Sequence, residues 1–127
     1  MLVNNFKNFV TLYESRDKIE KFINFCNTDL DIKQPCDVSF VDTPEGNMTT
    51  GCFNPMNREI KVVFGKRALV DVLRSIAHEL VHAKQHEDGK LHPNSGDDGS
   101  PVENEANSIA GVLMRRFQRD NRDIYDL

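Results

Sequence analysis

The chain has no tryptophan and only three cysteines, Cys26, Cys36 and Cys52, scattered over 127 residues. An odd number of cysteines without a C-x-x-C pair supplies neither a disulfide framework nor a cysteine-rich metal site. Reduced thiols in a cytosolic setting are the simplest expectation. No apolar run approaches the ~20 residues that span a bilayer, and the first ten residues mix Asn, Lys and Phe where an export signal would need an unbroken apolar stretch. No membrane partner is therefore expected. An excess of positive charge is also missing: 16 basic against 20 acidic residues leave a net charge of −4, which gives no general field for nucleic acid. The one basic cluster, Arg115, Arg116, Arg119 and Arg122, is interleaved with Asp120 and Asp123. It falls where a helix is expected to end, and cations there offset the last carbonyls. Repeats, low-complexity tracts and linkers are absent too, so residues 1–127 read as one domain.

What is present is regular patterning. Phe6, Phe9, Val10, Tyr13, Ile19, Phe22, Ile23 and Phe25 recur at largely helical spacing. Asp37 to Val41 alternates like a short strand. Thr49 to Phe53 and Glu59 to Phe64 read as two more strands, joined by the turn-forming Asn54-Pro55-Met56-Asn57 as a hairpin. From Arg67 to His86, Leu69, Val72, Leu73, Ile76, Ala77 and Leu80 form one helical stripe. Turn formers crowd Gly89 to Pro101, which reads as a loop. Helical spacing resumes from Val102 to Phe117 through Ala106, Ile109, Ala110, Leu113 and Phe117. The order predicts an α+β fold with a small antiparallel three-stranded sheet, an N-terminal helix, a central helix and a C-terminal helix.

The chemistry lies on the central helix, in His78-Glu79-Leu80-Val81-His82. Histidines four residues apart sit one turn above each other, so both imidazoles can ligate one zinc ion from the same side. Both project away from the apolar stripe, where a histidine serving only the core would more often lie. Glu79, one residue on from His78, is placed to act as general base on a zinc-activated water rather than as a ligand. His86 continues the series but lies ~12 Å along the axis from His78, too far to share the metal. Gln85 and Asp88 stand where a longer three-histidine motif would need Gly and His. The candidate third ligand is Glu103, in Pro101-Val102-Glu103-Asn104-Glu105-Ala106-Asn107. Ala106 one turn on allows a close helix approach. Glu105 is the rival within the run, on the other flank of the stripe. Asn107 serves either as a hydrogen-bond partner for a ligating histidine or as ordinary surface polarity.

The strand, the His-Glu-Leu-Val-His helix and the downstream Glu-x-x-Ala-Asn helix resemble a gluzincin in minimal, single-domain form, over about Glu59 to Phe117. The tail motif is similar to that of small zinc-peptidase-like proteins of phages and bacteria and of ImmA/IrrE-type peptidases. The resemblance implies a zincin-like fold, a cytoplasmic zinc peptidase acting on a protein or peptide, and Glu103 as third ligand. It also implies that Glu59 to Phe64 is the edge strand beside the cleft, available to an extended peptide. Two departures stand out. The His82–Glu103 spacing is short, and no residue is marked as oxyanion donor, which leaves His92 and Tyr125 as candidates. The stretch His86-Glu87-Asp88-Gly89-Lys90-Leu91-His92 is also similar to SprT-like proteases, which would make His92 the third ligand and DNA-associated proteins the substrate. The alternative from another class is a zinc-binding module that binds protein without cleaving it. Residues 1 to 58 read mostly as scaffold.

Overall fold

The computed structural model describes residues 6–91 and 100–126. His92 and most of the expected 89–101 loop lie outside the described residues, as do the side chains of Phe6, Phe9, Val10 and Tyr13. The elements are helix α1 (Phe6–Leu30), strands β1 (Asp37–Val41), β2 (Gly51–Asn54) and β3 (Glu59–Val63), helices α2 (Leu69–Glu87) and α3 (Pro101–Gln118), and a closing 3-10 turn, Arg122–Asp126. The fold is α+β, as expected.

The sheet departs from the expectation in its order. Its strands run β1-β3-β2, with β2 antiparallel to β3 as the hairpin requires but β1 parallel to β3. The sheet is therefore mixed, not antiparallel. The physical reason is the unequal burial of the three strands. Ile60 and Val62 of β3 are fully buried and Val63 nearly so, so β3, the richest in β-branched residues, takes the middle place. The stretch 42–58 is long enough to carry the chain past it, which a parallel pair demands. At the return point Gly65 lies against Asp42: a Cβ there would stand 2.2 Å from the Asp42 carbonyl oxygen. A consequence is that Glu59–Phe64 is the central strand and not an edge; the edges are β1 and β2.

Helix α2 is the centre of the fold, touching α1, α3, the 3-10 turn, β2 and β3. Its start is not held by a side-chain cap, since Ala68 offers none. Burial holds it instead: Val72, Leu73, Ile76, Ala77 and Leu80 are completely enclosed, each large side chain contributing ~1.5–3 kcal/mol. From α1, Ile19, Phe22 and Cys26 enter the same core, and the Phe22 ring meets the Phe117 ring of α3 edge-on at 4.9 Å. All three cysteines are unpaired. Burial, then the charge of Asp29, pushes the Cys26 thiol up, so it stays protonated. The C-terminal arginines behave as helix-end cations: Arg115, Arg116, Arg119 and Arg122 are exposed, and Arg116 pairs with Asp29 of α1 at 2.8 Å.

The last residue of α2, Glu87, carries a negative charge where the helix dipole disfavours one. Three donors outweigh that cost. The Lys33 and Gln34 amides donate to its carboxylate at 3.0 and 3.2 Å, and Arg58 donates at 2.8 Å. One side chain thus ties the entry to β1 and the β2–β3 hairpin to α2. Burial by itself would raise the Glu87 pKa, but the two amides and then the Arg58 charge overcome it and hold the carboxyl below its usual value. A depressed folded-state pKa contributes stability above the ordinary glutamate value of ~4.3 and loses it as pH falls through the folded value. Glu87→Gln should therefore lower stability by about 2 kcal/mol at neutral pH, with the deficit closing in acid. Urea denaturation as a function of pH checks this; a deficit that persisted unchanged in strong acid would exclude the carboxylate as its source.

Candidate metal centre

The site is assembled where α3 crosses α2. On α2 the rings of His78 and His82 lie 4.7 Å apart and nearly perpendicular. On α3 the position of Glu103 is fixed from the helix start. Ser100 is the N-cap, its hydroxyl accepting the Glu103 amide at 3.2 Å, and Pro101 opens the first turn. Ser-x-x-Glu is the sequence of a capping box, in which the glutamate folds back on the cap amide. Here the carboxylate reaches across to α2 instead. Oε1 stands 2.8 Å from His78 Nε2 and Oε2 stands 2.9 Å from His82 Nε2, while the two Nε2 atoms are 3.1 Å apart. The three side chains are between 12 and 19% exposed, which is not how solvated surface histidines or a free helix-start carboxylate sit.

Why these atoms converge follows from the other nitrogen of His82. Gln85, 2% exposed, donates its amide NH2 to the Val102 carbonyl at 3.0 Å and to Glu105 Oε1 at 2.9 Å. A backbone carbonyl can only accept, so the amide orientation is fixed and Gln85 Oε1 faces His82 Nδ1 at 2.7 Å. His82 Nδ1 must then carry the proton. In the neutral ring His82 Nε2 is a bare lone pair, held against Glu103 Oε2, which is also a lone pair. Two acceptors at that distance repel unless a proton or a metal cation lies between them. His78, His82 and Glu103 thus form a group that can hold a metal ion, and the donor set fits one.

Glu79 borders this group without belonging to it. It is 7% exposed and lines a cleft of about 520 Å³ together with His78, Glu103 and Asn107. Burial, then the charge of Glu103, raises its pKa to about 8; a cation on the three ligands acts in the opposite direction. The far wall of the cleft is Thr49, Thr50 and Gly51. Gly51 keeps that wall open: a Cβ there would crowd Lys61 O at 3.2 Å and Glu79 Cγ at 3.3 Å.

Other expected residues fall elsewhere. Glu105 is not a ligand; it accepts from Gln85 and so acts one layer out. Asn107 is exposed on the cleft wall, and the outer nitrogen of His82 is taken by Gln85 rather than by Asn107. His86 is exposed, its ring 6.0 Å from that of Phe53. Tyr125 sits on the 3-10 turn with its hydroxyl donating to Gln118, off the cleft lining, which removes it as oxyanion donor. Three residues that matter were not apparent from the motifs: Gln85, Ser100 and Gly51. The available signals were an amide one turn beyond His82 and a Ser-Pro pair ahead of Glu103.

No protein-family profile matches the chain, and no curated protein or solved structure is significantly similar to it.

Replacing Gln85 by Leu removes the acceptor that fixes the His82 tautomer. Affinity for a divalent transition metal should drop about 10- to 100-fold, measured by competition against a chromophoric chelator. Unchanged affinity would mean that Gln85 only packs.

Proposed function

We propose that this protein is a zinc-dependent peptidase, with zinc on His78, His82 and Glu103 and with Glu79 as general base. The observation that carries the reading is the convergence of three ligand atoms from two helices beside a buried, non-ligating carboxylate on an open cleft. Two imidazoles and one carboxylate suit zinc. Tetrahedral zinc with bonds of ~2.0–2.1 Å sets its ligand atoms about 3.3 Å apart, close to the 2.8–3.1 Å separations between Nε2 and carboxylate atoms here. Among the described residues no fourth ligand joins the group, which supports a position kept for solvent rather than a closed structural site.

Zinc at this position would supply Lewis acidity, acidifying a water and polarising a peptide carbonyl. The residues do the rest. Glu79 takes the proton from the attacking water and passes it to the departing amine. Gly51 leaves that carboxylate clearance to move. Among the described residues strand β2 pairs on one side only, so its other edge beside Thr49–Gly51 can align an extended peptide by main-chain hydrogen bonds. This gives β2 the part that the family resemblance implied for Glu59–Phe64. Asn107, on the ligand-bearing helix α3 and lining the same cleft, is an uncharged donor available for the oxyanion role that Tyr125 cannot reach.

The competing reading, a metal-binding module without catalysis, has no use for a buried carboxylate held beside the ligands. Two measurements separate the readings. Purified protein should contain one zinc per chain, lost in Glu103→Ala and retained in His92→Ala; zinc lost with His92 would point to the SprT-like arrangement. Glu79→Gln should keep its zinc while peptide hydrolysis falls by about a thousandfold. Loss of metal in that variant, or undiminished cleavage, would remove Glu79 from its role.

A further inference from the structure

The cleft does not end at the ligands. It continues past His78 toward the start of α2, where Arg67, Asp71, Arg74 and Ser75 line it. Arg67 is locked in place, donating to the Val63 carbonyl at 2.8 Å, the Asp71 carbonyl at 2.9 Å and the Ser75 hydroxyl at 2.7 Å. All three acceptors are neutral, so they orient the guanidinium without cancelling its charge. Burial disfavours that charge, and only Asp71 opposes the effect. The Asp71 carboxylate is itself taken by Arg74 at 3.0 Å. Two guanidiniums therefore share one carboxylate in this arm. Arg74 is more than half exposed, with donors left to offer. In a chain of net charge −4, this arm carries one positive charge in excess, while the acidic Glu79 and Glu103 line the other end of the same cleft beside the histidines; inside a concave surface such a local field is focused.

We infer that this arm is a carboxylate subsite, seating an acidic side chain or a terminal carboxylate of the substrate through Arg74, with Arg67 as the fixed background charge. The inference rests on the peptidase reading and names its substrate class. Arg74 precedes His78 by four residues, ~6 Å along the helix. An extended peptide rises ~3.3 Å per residue, so the carboxylate falls about two residues from the bond to be cut. At that spacing a side chain returns to the same face of the strand.

The test uses zinc-loaded full-length protein and phosphinic peptides, whose non-hydrolysable centre anchors the register on the metal. One set carries Glu, Gln or Lys about two positions to either side, with both ends blocked. A second set is neutral and ends in a free or an amidated carboxyl at that distance. Binding is read by fluorescence anisotropy. On one side of the centre, Glu should bind about tenfold tighter than Gln, and the gap should narrow as salt rises. Arg74→Glu should abolish the preference and favour Lys. A preference restricted to the free terminal carboxylate would identify that source. Equal binding of Glu and Gln peptides with no terminal preference, or a preference that survives Arg74→Glu, overturns the inference while leaving the peptidase reading intact. Failure of every phosphinic peptide to bind would overturn both.

Discussion

The site depends on one packing constraint: α2 and α3 must lie close enough for a single glutamate side chain to straddle two imidazoles. Glu103 is short relative to the task, so the helices have no room for a large residue at the crossing. Ala106 and Ala110 meet that demand and are fully enclosed in the core with Leu80 and Leu113. The same contact carries a polar strut. Gln85 leaves α2, bonds the backbone of α3 at Val102 and the side chain of Glu105, and orders His82 with its remaining oxygen. A buried amide with all these bonds made is stabilising; with one broken it becomes a liability. Helix packing and ligand geometry are therefore one problem.

Electrostatics push in the same direction. Glu79 and Glu103 share a partly dry space, and the Nε2 lone pair of neutral His82 adds to the crowding of negative potential. Without positive charge these groups oppose one another, which is why burial and Glu103 raise the Glu79 pKa. A divalent cation resolves the conflict. On the proposed reading the metal completes the balance of charge between two helices as well as serving the reaction.

Much of this was legible in the residues. The two ligand helices follow from 3.6-residue periodicity, and the i, i+4 histidines place themselves. Glu103 over Glu105 follows from which flank each takes beside Ala106. The sheet was less legible. A short strand such as β1 states its own pattern but not its partner, so its parallel pairing to β3 had to come from the tertiary burial of Ile60 and Val62. Assigning the cleft edge to β3 failed for the same reason. Gln85 was hidden because a lone glutamine on a helix is ordinarily solvated, and only the crossing of α3 turns it into an interior residue. Gly51 was hidden because its importance lies in an atom it lacks.

The cap at Ser100 has a bearing on how this site tolerates change. Because Ser100 and Pro101 set where α3 begins, the angular position of Glu103 is measured from that cap and not from the end of α2. The cap thus sets the ligand's angle independently of where α2 ends. A residue inserted between Ser100 and Glu103 would instead swing the carboxylate by about 100° around the helix axis. Length added behind the cap and length added ahead of it are therefore unequal changes for the site, since the first turns the ligand away from its partners on α2.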